Sequence, residues 1–335
     1  MSILVTGGTG YVGSHTSLKL LEAGHEVVLL DNFCNSHPGV LQSLEKLAGK
    51  PVALVEGDVR DAALLARLFA THPVEAVIHF AALKAVGESV QKPLHYYDNN
   101  LGGSLVLLKA MQKAQVKTLV FSSSATVYGN PARVPVREDA PLGATNPYGH
   151  SKCMVEAVLE DLCRADATWR VARLRYFNPV GAHESGLLGE NPRGIPNNLM
   201  PYVAKVAAGQ LPKLQVFGVD YSTRDGTGVR DYLHVMDLAE GHVRALGHLR
   251  KQEGLLTLNL GGGRGYSVLE VVHAFEEASG RRVPWEAAPR RPGDVAECWA
   301  DVQAAFQTLG WRADRSLLEM CLDTWRWHQT AFTLT

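Results

Sequence analysis

The sequence predicts an α/β fold: a doubly wound parallel sheet with a smaller α/β C-terminal domain. Three observations carry this prediction. Short apolar runs alternate with amphipathic stretches through the first half, a glycine-rich turn follows the first run at once, and the rhythm is lost beyond Asn178. Continuous Val/Leu/Ile runs, without polar alternation, are strands buried on both faces, as a parallel sheet requires.

The expected strands are residues 2–6 (SILVT), 26–30 (EVVLL), 52–56 (VALVE), 76–80 (AVIHF), 118–121 (TLVF) and 169–174 (WRVARL). Between them, residues 11–23, 62–70, 101–114 and 148–164 carry apolar side chains at three- and four-residue intervals, as in Leu101, Leu105, Leu108 and Met111, and are expected as helices. This is the βαβ arithmetic of a Rossmann-type sheet. From Asn178 to about Thr227 the chain is dense in Gly, Pro and Asn, which predicts long loops around one helix, 199–208. A strand at 256–260 then runs into Gly261-Gly262-Gly263-Arg264-Gly265, to which the sequence assigns no chemistry, and a helix follows at 268–278. Leu317, Leu318, Cys321 and Trp325 form the apolar stripe of a terminal helix.

Composition narrows the function classes. Lys+Arg 33 against Asp+Glu 34 leaves no basic footprint, so no nucleic-acid partner is expected. The cysteines Cys34, Cys153, Cys163, Cys298 and Cys321 are odd in number and scattered, which excludes CxxC zinc spacing and argues against a disulfide scaffold. No apolar run reaches the ~18 residues of a membrane helix, and Met1 leads straight into a strand with no basic leader, so a cytoplasmic location without a membrane partner is expected. His79 and His183 lack accompanying carboxylates or cysteines, and no metal is expected. Glycine, 32 of 335 residues against a usual ~7%, is in excess and clusters in turns, which calls for close backbone approach.

The first cluster is Thr6-Gly7-Gly8-Thr9-Gly10-Tyr11-Val12-Gly13, between the first strand and the first helix. Gly7, Gly10 and Gly13 remove side chains where the turn is tight, where backbone amides touch a pyrophosphate and where helix presses on strand, and the helix N-terminus favours the phosphate charge. Alone this signal is weak. Asp31, ending the next strand, sharpens it: a carboxylate there accepts from ribose hydroxyls and repels a 2′-phosphate, so NAD is the expected cofactor. Asp58, closing the third strand, either reaches the adenine amino group or caps the following helix.

Tyr148 and Lys152 stand i, i+4 on an expected helix, on one face and with Cβ atoms roughly 5–6 Å apart. A phenol of pKa ~10 is a poor base at neutral pH, and an adjacent ammonium and oxidised nicotinamide both favour its phenolate. Ser124, in Ser122-Ser123-Ser124 at the end of the fifth strand, is placed to share the proton network of a substrate hydroxyl.

These residues, in this order, resemble the extended branch of the short-chain dehydrogenase/reductase superfamily. Residues 80–89 (FAALKAVGES), 121–129 (FSSSATVYG), 174–182 (LRYFNPVGA), 195–201 (IPNNLMP) and 225–232 (DGTGVRDY) are similar in particular to the UDP-glucose 4-epimerase family, and the resemblance runs from residue 3 to about 327. It implies reversible 4-epimerisation of UDP-glucose and UDP-galactose through a 4-keto sugar and enzyme-bound NADH, in galactose metabolism. The alternative is another extended-branch nucleotide-sugar epimerase or dehydratase. Dehydratase relatives place an Asp-Glu pair just after the strand serine; here Ala125 and Thr126 stand there.

The resemblance also implies roles. Tyr148, Lys152 and Ser124 would be catalytic. NAD would contact Gly7, Gly10, Tyr11, Val12, Gly13, Asp31, Asn32, Phe33, Cys34, Asn35, Ser36, Asp58, Val59, Phe80, Ala81, Ala82, Leu83, Lys84, Asn99, Ser122 and Phe177, besides Tyr148 and Lys152. The UDP-hexose would meet Lys84, Ser124, Tyr148, Asn178, Asn198, Leu199, Asp294 and Cys298, with Phe217 against uracil and Arg230 and Arg291 on the pyrophosphate. Cys298 stands where strictly glucose/galactose members usually hold Tyr, and its small size leads to an expected acceptance of N-acetylated UDP-sugars. A homodimer through the helices 101–114 and 148–164 is expected. The expected domains are an NAD-binding one at 1–176 plus about 230–262, and a nucleotide-sugar one at 177–229 and 263–335. The loop 130–144 is diverged, one residue shorter than in relatives, and has no assigned path.

Overall fold

The computed structural model describes residues 1–192, 196, 198–291 and 293–333; Ile195 and Asn197 of the stretch quoted above lie outside the described residues. The chain forms two compact units. The first comprises Met1–Asn130, Ala140–Tyr176 and Ala239–Leu258, the second Pro131–Asp139, Phe177–Leu238 and Asn259–Thr335.

The first unit is built on β1 (Ser2–Thr6), β2 (Glu26–Asp31), β3 (Ala53–Glu56), β4 (Val74–His79), β5 (Thr118–Ser124) and β6 (Arg170–Tyr176). With the Gly254–Leu260 strand at one edge, they form a seven-stranded sheet in the order Gly254–Leu260, β6, β5, β4, β1, β2, β3. β1 pairs in parallel with β2 and β4, and the pairs β2/β3, β4/β5 and β5/β6 are also parallel. The order reverses at β1, and in such sheets ligands bind outside the carboxyl ends of the strands at that switch point. Leu4, Val28, Val77, Leu119 and Val171 from the strands pack with Leu65, Leu107, Met111, Val155 and Leu159 from the helices, all buried. The runs are apolar throughout because both faces of the sheet are covered.

Three details differ from expectation and bear on the site. β5 continues through Ser122, Ser123 and Ser124, so its serines are strand residues of fixed direction. An unexpected helix, Gly39–Ala48, joins β2 to β3 and buries only Leu44. The expected helix at 101–114 is α-helical over Gly103–Lys113 and is preceded by a π-helical turn, Tyr97–Gly102, that carries Asn99 and Asn100. Such turns are rare and concentrate at functional sites.

In the second unit, Val229–His234 pairs antiparallel with Gly265–Ser267 and parallel with Asn178–Val180 and Glu297–Cys298. A separate parallel pair joins Leu214–Phe217 to Trp285–Ala288. The helices Leu199–Ala207, Val268–Ser279 and Leu317–Thr333 contribute Val203, Val272, Phe275 and Met320 to its core. Ser267 and Glu270 form a reciprocal capping box that starts the Val268–Ser279 helix. The division differs from the expected one. Of 230–262 only Ala239–Leu258 returns to the first unit, because Val229–His234 is held by its three partner strands. Pro131–Asp139 joins the second unit, where Val136 N–H donates to Trp299 O at 2.8 Å. Among the described residues no helix is long and apolar enough to cross a membrane.

Candidate active site

The dinucleotide turn is shaped by what glycine lacks. Gly7 has φ +68°, and a Cβ on it would lie 2.8 Å from the Ala81 nitrogen. A Cβ on Gly13 would lie 2.1 Å from the Gly7 carbonyl oxygen. The backbones of β1, the loop after β4 and the first helix therefore meet with no room for side chains, and helix Tyr11–Glu22 opens with its dipole facing the turn. Asp31 ends β2, nearly buried, and accepts from Thr9 N (3.0 Å), Phe33 N (2.9 Å) and Ser36 Oγ (2.9 Å). A carboxylate has roughly four acceptor sites, so capacity remains for a ribose hydroxyl. Phe33 is held at φ +54°, an uncommon conformation for a non-glycine residue, by its bond to Asp31. These residues fit a dinucleotide carrying unmodified ribose.

Of the two readings of Asp58, capping is excluded. Asp61 caps helix Ala62–Thr71, accepting from Ala63 N and Leu64 N. Asp58 instead accepts from Arg60 Nε (2.9 Å), Arg60 Nη2 (2.8 Å) and Asn32 Nδ2 (3.0 Å), and the Arg60 bonds hold its carboxyl down at about 2. Cys34 N–H donates to Asn32 Oδ1, Val59 is buried against Gly103, and the Phe80 ring lies 4.8 Å from that of His242, tilted by 50°. Asn99 Nδ2 donates to Asn100 Oδ1.

Asn146 caps helix Pro147–Ala165, accepting from Gly149 N at 2.9 Å, and so starts the helix one residue before Tyr148. Tyr148 (8% exposed), Lys152 (3%) and Ser124 (8%) stand at the carboxyl end of β5, shielded from water. Lys152 Nζ donates to Ser122 O at 2.7 Å and lies 4.9 Å from the Phe121 ring centroid and 6.0 Å from that of Tyr148. Burial, then Tyr176, pushes the Tyr148 phenol up; its hydrogen bond with Ser124 and the Lys84 charge oppose this. Lys84 thus acts on the phenol as a second cation beside Lys152. Burial brings Lys152 itself down to about 7, opposed by Glu156. Ser124 Oγ accepts from Thr126 Oγ1 (3.0 Å) and Thr126 N (3.3 Å), which leaves its own proton to donate. Ala125 and Thr126 form a single turn after β5, with no carboxylate at either position.

In the second unit, Phe177 is buried and Asn178 begins a strand. Leu199 opens its helix, while Asn198 donates to Glu190 Oε1 at 2.8 Å. The Arg291 guanidinium lies 3.9 Å from the Phe217 ring centroid. Asp294 accepts from Arg230 Nη2 at 3.5 Å, and its N–H donates to Arg291 O at 3.2 Å, so it links the two arginines. Cys298 is the register partner of Arg230, and burial pushes its thiol up to about 11. Among the described residues no group of three or more His, Cys, Asp or Glu could hold a metal.

The protein family described as GDP-mannose 4,6 dehydratase matches residues 4–324. The UDP-glucose 4-epimerase of Bacillus subtilis is 58% identical over 330 residues, 98% of this chain and 97% of that protein. The chain belongs to the UDP-glucose 4-epimerase family. Two solved members agree over essentially their whole length. The UDP-glucose 4-epimerase of Stenotrophomonas maltophila, with bound NAD and formylated UDP-arabinopyranose, superposes with a TM-score of 0.98 at 52% identity, covering 100% of both chains. That of Bifidobacterium longum, in complex with NAD+ and UDP, gives 0.96 at 54% identity and 99% of both.

For this member of the UDP-glucose 4-epimerase family the structure adds two residues that sequence reasoning missed. Asn100 accepts from Leu83 N (2.8 Å) and donates to Leu83 O and Ser151 Oγ (both 3.0 Å), tying the loop before Lys84 to the helix of Tyr148. Asp231, fully buried, accepts from Gly262 N (2.6 Å), Gly263 N (3.1 Å) and Ala300 N (3.0 Å). This gives the unassigned glycine run a reason. A Cβ on Gly261 would lie 2.5 Å from the Asp231 carboxylate, and one on Gly262 2.8 Å from Tyr232 O. The run makes room for a carboxylate that fastens the strand of Arg230 to the segment following Cys298. The signal was present as Arg230-Asp231 and the glycines, but nothing local joins them.

Proposed function

We propose that the protein reversibly 4-epimerises UDP-glucose and UDP-galactose, in galactose metabolism, with NAD retained as a prosthetic group. The observation that carries this reading is the convergence of Tyr148, Ser124 and Lys152 in the unit that holds the dinucleotide turn. Bound NAD supplies the hydride acceptor and, in the return step, the donor. Tyr148 Oη takes the proton from the 4-hydroxyl and gives it back after the 4-keto sugar has turned to present its other face. Ser124, hydrogen-bonded with Tyr148, shares the proton network of the substrate oxygen. Lys152 and Lys84 keep the surroundings of the phenol cationic. Gly7, Gly10 and Gly13 admit the pyrophosphate of NAD, Asp31 its ribose, and Asp58 with Asn32 its adenine. Arg230 and Arg291 neutralise the diphosphate of UDP and Phe217 contacts uracil, with Asn178, Asn198, Leu199 and Asp294 completing the grip. A firm hold on UDP leaves the hexose free to turn.

The test is to denature the purified protein, detect released NAD, and assay the same batch with UDP-galactose. UDP-glucose is the expected product. A product lighter by one water would favour the dehydratase alternative, against which Ala125 and Thr126 stand.

Cys298 supports a wider substrate range, because a small neutral thiol leaves space where a Tyr would fill it. Turnover of UDP-N-acetylgalactosamine is expected, and Cys298→Tyr should cut it by ~10–200-fold relative to UDP-galactose, the discrimination that pocket size provides. Wild-type turnover below about a thousandth of that with UDP-galactose would sink the idea. A cytoplasmic homodimer is also proposed. Val86 (43% exposed), Val90 (62%), Leu94 (82%) and Met154 (43%) place apolar side chains on helices of the first unit that pack together, as a subunit contact requires. Sedimentation at twice 36.4 kDa is expected, and a monomer at micromolar concentration would refute it.

A further inference from the structure

Tyr148, Lys152 and Glu156 follow one another at four-residue intervals on one face of helix Pro147–Ala165, and the proposed chemistry uses only the first two. Glu156 is 1% exposed and Arg175 4%. Glu156 Oε1 accepts from Ser123 Oγ at 2.5 Å, and Arg175 reaches both carboxylate oxygens, with Nη2 to Oε2 at 2.6 Å and Nε to Oε1 at 3.0 Å. Arg175 Nη1 also donates to Tyr128 Oη at 3.0 Å, in the turn that follows Ser124. The β5/β6 register sets Ser123 beside Arg175, so one carboxylate grips both strands from the helix.

We propose that Glu156, braced by Arg175, is a positioning residue that keeps Lys152 an ammonium and pins the Ser122–Ser124 end of β5 to the catalytic helix. Burying one cation is costly, and burying two in one cluster without a carboxylate is more so. Glu156 is the buried anion that acts on Lys152. Among the described residues the other titratable groups of the cluster are Tyr148 and Cys153 on its own helix, Lys84 after β4, Tyr128 after β5, Tyr176 and Arg173 on β6, and Glu160 one turn further along the helix, which is half-exposed and pairs with Arg173 at 3.5 Å. His79 on β4 is held neutral, as burial pushes it to about 3. β5 itself presents only Phe121 and hydroxyls. Removing Glu156 deletes the carboxylate that acts on Lys152 and that balances the Arg175 charge, and both changes favour neutral Lys152.

The inference rests on the proposed function only for its consequence in turnover, and its primary test is independent of it. With lysine labelled at 13Cε and the Lys152 signal assigned through Lys152→Arg, the Lys152 titration midpoint in the NAD-loaded protein is expected to fall by about one pH unit in Glu156→Gln, a tenfold change in proton affinity. Glu156→Asp, which keeps the charge but withdraws it, should give a smaller fall in the same direction, and it decides the matter if Glu156→Gln does not fold. The alkaline limb of kcat with UDP-galactose should move down with the midpoint; a merely structural role would lower kcat and leave the limb in place. A folded Glu156 variant with an unchanged midpoint overturns the inference. A wild-type protein that titrates as described but does not epimerise overturns the proposed function instead.

Discussion

Tyr148→Phe is expected to lower kcat for UDP-galactose by at least about 10³-fold while NAD remains bound, because positioned acid–base groups contribute ~10²–10⁴-fold and no other phenol is placed to take over. Tyr148 is nearly enclosed, so the loss is of one oxygen and its proton, not of shape. Tyr176 is close enough to influence Tyr148, but it shares a 2.6 Å hydrogen bond with Ser122 Oγ and is itself pushed up by burial. Ser124 has a proton to donate, but its hydroxyl stays un-ionised near neutral pH and cannot serve as the base alone. Single-turnover absorbance of the nicotinamide, together with the NAD released on denaturation, separates lost chemistry from lost cofactor. Unaltered turnover would remove Tyr148 from its assigned role.

Gly13→Ala is expected to abolish NAD retention and to destabilise the fold by about 3 kcal/mol or more, at or above the top of the usual range for overpacking, because the groups it meets cannot move. The added Cβ would stand 2.1 Å from Gly7 O, 3.0 Å from Gly7 C and 3.1 Å from Gly8 Cα, all of them backbone. Retreat is blocked because Gly7 N–H donates to Leu30 O at 2.7 Å and Gly10 N–H to Gly7 O at 3.0 Å. Gly247→Ala is the control. It lies within helix Val235–Leu249 with nothing within 4 Å of the added carbon, and it should be neutral or stabilising by roughly 0.5–1 kcal/mol. Denaturant midpoints and the nicotinamide content of the two variants make the comparison; similar loss in both would show that the turn is not the sensitive element.

The parts readable from sequence are those in which the signal is local. β1 to β6 show as apolar runs because a doubly covered parallel sheet leaves no polar alternation, and Tyr148 and Lys152 show because four-residue spacing decides which face a helical side chain takes. The second unit is harder, since Asn178–Val180, Gly265–Ser267 and Glu297–Cys298 are two or three residues long and exist only through pairing with Val229–His234. That strand passes into helix Val235–Leu249 at His234 with no turn residue between, so neither element announces its boundary. Asp231 and Glu156 were hidden for another reason. Each is ordinary in its own segment and acquires meaning from donors far along the chain, at Gly262 and Ala300 for the one and at Arg175 and Ser123 for the other.

The interleaving of the two units has a consequence for synthesis on the ribosome. β6 is complete at Tyr176, but its neighbour Gly254–Leu260 emerges about 80 residues later, roughly 4–16 s at ~5–20 residues per second. For that interval the newborn sheet has an open margin, a template on which another nascent chain can add itself. β6 carries Arg170 and Arg173, so two such margins brought together would oppose like charges. Once the last strand arrives, Arg170 finds Glu253 and Arg173 finds Thr257, and the guard becomes part of the seal.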